Sequence, residues 1–187
     1  MMTFIGIDLA ASPRRRTGLA LIDGQQVIVS VARADEEIIR FVLSSGPKVV
    51  AIDAPLSLGK GPYRDFERKA IKEGYRLLPS TLRSMRDLSL RAQRLVPVIS
   101  GAGAEVIETH PRSALRSGSC RSYAEVLQAL GLRPPLNVNR DEADAVVAAA
   151  IALCYFKGAY TSIVGSEGEL VLLPKGLCSP PRHVEGA

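Results

Sequence analysis

The chain has 187 residues, 47% of them apolar and 23% charged, and a net charge of +5. That is the size and composition of one ordinary globular domain with a substantial core. No apolar run reaches the ~20 residues that span a bilayer, and the N-terminus lacks the pattern of a secretory signal, so a cytoplasmic protein without a membrane partner is expected.

Residues 3–9 are apolar and rich in β-branched side chains and read as a buried strand. A polar connection with Pro13 leads to a second strand over 17–22, and Asp23-Gly24 is a two-residue hairpin signal that brings on a third over 26–31. In 34–44, Ile38, Ile39, Val42 and Leu43 fall at helical spacing behind the acidic first turn Asp35-Glu36-Glu37. Gly46-Pro47 stops that helix before a fourth strand ending at Asp53, which the intervening helix makes parallel to the first. From about 54 to 104 the chain turns proline-rich and basic, and reads as an inserted segment of loop and helices, the clearest helix over 81–96. A fifth strand follows over 104–108, then helices over 123–130 and 141–156, and a closing pair of short strands over 159–164 and 169–173. The expected fold is α/β: a mixed five-stranded sheet with an antiparallel meander, flanked by helices.

Charge is uneven. Between Lys60 and Arg94 ten Lys/Arg stand against four Asp/Glu, a local +6 that exceeds the net charge of the whole chain. Such a segment suits a polyanion, because Lys and Arg neutralise phosphates and release counterions. Cys120, Cys154 and Cys178 are odd in number without metal-like spacing, so reduced thiols are expected rather than a disulfide or a zinc site. Two histidines are too few for a multi-histidine metal site.

The chemistry-bearing residues are carboxylates. Asp8 and Asp53 end apolar strands, Glu108 ends a third, and Asp141 and Asp144 open an alanine-rich helix. The carboxyl edge of an α/β sheet is where such folds bind ligands, and Pro55 fixes the backbone just beyond Asp53. Asp144 lies a turn inside its helix, and the small face of Ala145, Ala148, Ala149 and Ala152 lets that helix come close to the sheet. Oxygen ligands from separate segments suit Mg²⁺ or Mn²⁺. Glu108 also has a structural reading, as the cap of a following helix, and Thr109 or His110 could contact a phosphate or water.

These blocks resemble the RNase H-like superfamily, whose nucleases hold two divalent metals on carboxylates of the first strand, the fourth strand and a late helix. Asp141, Asp144 and Ala145 are similar to the Asp-x-x-Asp-Ala helix start of RuvC-type junction resolvases. Over nearly the whole chain the sequence also resembles a domain-of-unknown-function family described as predicted nucleases with an RNase H fold. That resemblance rests on Gly6-Ile7-Asp8, Thr17-Gly18, Ala51-Ile52-Asp53-Ala54-Pro55-Leu56, the run from Arg64 to Gly74, Leu78-Pro79, Ser84-Met85-Arg86, Glu105-Val106-Ile107-Glu108, Pro111 and Asp144-Ala145. Where that family often has a cysteine, this chain has Phe66 between Asp65 and Glu67.

The resemblance implies a divalent-metal-dependent nuclease with two Mg²⁺ or Mn²⁺ ions and a nucleic-acid partner. Asp8, Asp53 and Asp144 would be its core ligands, with Glu108 and Asp141 as further ligands or water-positioning groups. Arg64, Arg68, Arg83 and Arg86 are the candidates for holding phosphate. A non-catalytic nucleic-acid-binding module would use the same basic segment without turnover. An ATP-binding relative of the actin and sugar-kinase fold shares the Gly-x-Asp strand and Thr-Gly hairpin, but needs two such domains.

Overall fold

The computed structural model describes residues 2–180. Strands β1 (Thr3–Asp8), β2 (Thr17–Asp23) and β3 (Gln26–Ala32) form the expected antiparallel meander. It turns at Gly24, whose φ of 60° lies in the left-handed region that glycine enters without strain. Helix α1 (Asp35–Ser45) ends on Gly46, and β4 (Val49–Asp53) lies parallel to β1. The segment expected as an insertion holds α2 (Asp65–Lys72) and α3 (Arg83–Gly101). The latter starts two residues after the expected 81 and runs past the expected end at 96, through Pro97, because Leu95 and Ile99 are both buried and packing holds the last turn. Next come β5 (Glu105–Thr109), α4 (Pro111–Ser117), α5 (Tyr123–Ala129), α6 (Arg140–Phe156), β6 (Thr161–Gly165) and β7 (Gly168–Leu172).

The sheet has seven strands, in the order β3-β2-β1-β4-β5-β7-β6, and not the five expected. The closing hairpin joins it through a single register pair, Thr109 opposite Val171, where the Thr109 hydroxyl donates to the Val171 carbonyl at 2.7 Å. The turn of that hairpin is held by Asp65, which accepts hydrogen bonds from the Ser166 N–H at 2.6 Å and its hydroxyl at 2.9 Å. Both attachments join residues far apart in sequence, so no local pattern announces them.

Strand alternation divides the core into two layers. Ile5, Ile7, Val50 and Ile52 face α1 and α3, whereas Phe4, Val49 and Ala51 face α6. The next residues in step on that second face are Asp8 and Asp53. Helix α6 lies almost directly on the sheet. A Cβ at Gly6 would come within 2.0 Å of the Ala145 carbonyl, and one at Gly18 within 2.1 Å of the Asp141 carbonyl. No side chain fits in either place.

Cys120 and Cys178 form a disulfide, contrary to the reduced thiols expected; Cys154 is free and buried. Their spacing of 58 residues hides a pairing created when the C-terminal segment folds back along α4, where the Cys178 N–H donates to the Gly118 carbonyl at 2.9 Å. Closing a loop of that length restricts the unfolded chain, so reduction should lower stability by about 2–4 kcal/mol. Thermal melts with and without a thiol reductant read this directly; coincident melts would mean that the bond is absent from the folded protein. Among the described residues, no helix is long and apolar enough to cross a membrane.

Candidate active site

Parallel pairing sets Gly6 opposite Ala51 and Ile7 opposite Ile52, so the next step along the register brings Asp8 beside Asp53 at the carboxyl edge of the sheet. Both open onto one cavity of about 200 Å³, which Glu108 and His110 also line. The N-terminus of α6 reaches the same edge. Its cap is Asn139, whose side chain accepts from the Glu142 N–H at 3.0 Å while the Glu142 carboxylate accepts from the Asn139 N–H at 2.9 Å. This capping box leaves Asp141 and Asp144 free of any capping role. Asp141 makes a loose, exposed ion pair with Arg16 at 3.6 Å. The side chains of Asp8, Asp53 and Asp144 have no hydrogen-bond or ion-pair partner among the described residues.

Their electrostatics reflect that isolation. Burial, then repulsion from Asp144 and Asp141, pushes the Asp8 carboxyl up to about 7. Burial, then Asp8, Asp144 and Glu108, holds Asp53 well above the carboxylate range. Burial raises Asp144 too, against the pull of Arg112 and Arg140. Metal-free, the cluster therefore retains protons near neutrality.

Glu108 stands differently. In β5 it is out of step with Ile107 and Thr109, and Thr109, not Glu108, is the register partner of Asp53. Its carboxylate accepts two bonds from the Arg64 guanidinium, at 2.5 and 2.8 Å, and one from the Leu56 N–H at 2.8 Å. Burial pushes Glu108 up and Arg64 pulls it back. Arg64 is only 1% exposed and also binds Glu67 at 2.7 Å. It is thus a buried strut and not the surface phosphate holder expected of a basic segment. Arg68, Arg83 and Arg86 are exposed, but none lines a cavity with the carboxylates.

Other cations do so. A cleft of about 510 Å³ on one side is lined by Asp8, Asp141, Arg14, Arg15, Arg16 and Arg33. A second, of about 670 Å³, is lined by Asp53, Asp144, His110, Arg76, Arg112 and Arg116. The run Arg14-Arg15-Arg16, in the loop that leaves β1 at Asp8, was the available sequence signal. Arg112 had none beyond its place after Pro111, which starts α4 at its first turn.

Three carboxylates without partners, all hard oxygen donors, fit a divalent cation such as Mg²⁺ or Mn²⁺. Among the described residues, however, no three His, Cys, Asp or Glu side chains are gathered tightly enough to hold an ion as they stand.

No family model matches the chain, and no curated protein matches it. Among solved structures it is similar to Thermus thermophilus RuvC in complex with a Holliday junction substrate, at 14% identity and a TM-score of 0.50, over 84% of this chain and 97% of that one. A second Thermus thermophilus RuvC structure aligns over the same shares at 17% identity and a TM-score of 0.47. The first likeness extends to the fold alone: this chain has a RuvC-like, mixed α/β architecture.

Proposed function

We propose that the protein is a divalent-metal-dependent nuclease that hydrolyses phosphodiesters of nucleic acid. Asp8, Asp53 and Asp144 would hold the cation, with Asp141 at the rim. The observation that carries this reading is the set of three partnerless, mutually repelling carboxylates that β1, β4 and α6 deliver to one sheet edge. Bound there, the metal would lower the pKa of a water and offset charge on the leaving oxygen. The chain's own residues orient the substrate. His110 Nδ1 lies 2.7 Å from the Ser113 hydroxyl and 3.3 Å from the Ser113 N–H; with Nδ1 accepting from both, the ring proton would sit on Nε2. Burial, with Arg112 adding to it, lowers its pKa to about 4, so His110 serves as a neutral donor towards a phosphate oxygen beside Asp53. Glu108 takes a supporting role, fixing through Leu56 the loop that follows Asp53.

The test is cleavage of a panel of labelled DNA and RNA substrates with Mg²⁺ or Mn²⁺, beside an Asp8→Asn control. Cleavage that persists in the purified variant would sink the assignment. Cation binding has its own readout, since it relieves carboxylate repulsion. Mg²⁺ at about 100 times its Kd should stabilise the folded protein by about 2.7 kcal/mol. Thermal shift should show this in the wild type and lose it in Asp8→Asn; equal shifts in both would place the ion elsewhere. The absence of a closed ligand set favours one second reading, a nucleic-acid-binding module without turnover, which binds in the panel but cuts nothing.

A further inference from the structure

The two arginine-lined clefts share the carboxylates between them. Asp8 belongs to the apolar cavity and to the cleft of Arg14, Arg15 and Arg16, while Asp53 belongs to the same cavity and to the cleft of Arg112 and Arg116. In the sheet order β2-β1-β4-β5, the β1–β2 loop with its arginines lies beyond Asp8, and α4, which follows β5, lies beyond Asp53, so the acidic edge is flanked by a basic wall on each side.

The first wall is built and not merely exposed. Arg91, buried inside α3, donates to the Ala10 carbonyl at 2.7 Å and to the Arg33 carbonyl at 2.6 Å, and pairs with Asp35 at 2.7 Å. It thus ties the root of the β1–β2 loop to the end of β3. Arg33 donates to the Arg14 carbonyl at 2.7 Å, and the Arg15 N–H closes a turn on the Ser12 carbonyl at 3.0 Å. The side chains of Arg14 and Arg15 are exposed and have no carboxylate partner among the described residues. On the other wall, Arg112 is also exposed, without an ion-pair partner among the described residues, at the first turn of α4. Arg116 lies over the Tyr75 ring, 5.6 Å from its centroid, and donates to the Gly74 carbonyl.

Cations held on both sides of a group of anions do not serve a small anion, which one wall would satisfy. They match a chain of phosphates that passes over the carboxylates and continues in both directions. We infer that Arg14 and Arg15 on one side, and Arg112 on the other, hold backbone phosphates flanking the phosphodiester that lies over Asp8 and Asp53. The substrate is then an internal stretch of a polynucleotide strand, neither a free nucleotide nor a strand end. The inference rests on the proposed phosphodiester site for where that strand crosses.

Binding without turnover tests it. Labelled single-stranded DNA of about 16 nucleotides, and a duplex of the same length, are titrated in EDTA over a range of salt. Arg14→Glu with Arg15→Glu, and separately Arg112→Glu, should each weaken binding about tenfold or more and lower the log–log salt slope by about 1 per arginine removed. Combining the two walls should multiply the losses, whereas Arg40→Glu with Lys157→Glu, exposed on α1 and at the far end of α6, should change affinity by less than about twofold. Loss from one wall only would overturn the two-sided path. So would equal loss in the off-wall control, wild-type affinity in the wall variants, or a wild type that binds neither probe. If the walls behave as expected while Mg²⁺ and Mn²⁺ produce no cleavage, the strand path stands and the nuclease reading falls.

Discussion

Asp53→Asn should abolish metal-dependent cleavage, by on the order of 10³-fold, and leave the metal-free protein more stable at pH 8 than the wild type. Both effects come from one charge. With a cation bound, the Asp53 carboxylate would be a ligand; without one, burial, Asp8 and Asp144 all oppose its ionisation. The pH dependence has a definite sign. For Asp8, the folded value of about 7 lies above the ordinary 3.8, so the folded protein keeps a proton that the unfolded chain releases. Its contribution to stability is complete below about 3.8, declines as pH rises towards 7, and is absent above that. Asp8→Asn should flatten this decline in a metal-free melting profile. A variant that melts earlier than wild type at every pH would mark the residue as structural, and an unchanged decline would assign the titration to another group.

Arg64→Ala should cost about 3–5 kcal/mol. The guanidinium donates to Glu67, to both oxygens of Glu108, and to the Ser57 hydroxyl at 3.1 Å, and lies 4.4 Å from the Phe66 ring centroid. Removing it strands two largely buried carboxylates without their cation. Lysine does not rescue it, because a single ammonium cannot reproduce the fork that bridges Glu67 and Glu108. Arg68→Ala, in the same helix but exposed, should change stability by less than about 0.5 kcal/mol. Chemical denaturation separates the two, and comparable midpoints for both variants would show that the triad contributes little. Adding Glu67→Gln and Glu108→Gln to Arg64→Ala should recover part of the loss, since the remaining groups are then neutral.

The sequence carried the strands and their order as far as β5 because each is a short apolar run bounded by glycine, proline or an Asp-Gly turn. Asp8 and Asp53 were legible for the same reason: each is the first polar residue after such a run, and parity does the rest. Glu108 follows a similar run and lines the same cavity as Asp8 and Asp53, but that Arg64 and the Leu56 N–H occupy its carboxylate depends on contacts no local pattern announces. Arg64 was misread because composition counts charges without saying which are buried. The β5–β7 junction and the Cys120–Cys178 bond each join segments more than fifty residues apart, through contacts that have no periodicity to detect. Arg14, Arg15 and Arg16 were in plain view, but only the fold reveals that their loop opens beside Asp8.

The close approach of α6 to Gly6 and Gly18 bears on how this protein can change over time. Where backbone rests on backbone, the gap between helix and strand is set by peptide dimensions, and side-chain volume has no say in it. On the opposite layer, Ile38, Val42, Leu95 and Ile99 can exchange one branched chain for another at the ordinary expense of imperfect packing. Such exchanges alter how firmly the sheet is held, not how far Asp144 stands from Asp8. Drift in one layer is thus decoupled from chemistry in the other. Divergent sequences that keep two glycines opposite a run of alanines should keep the spacing of their acidic residues, whatever else in the core has been replaced.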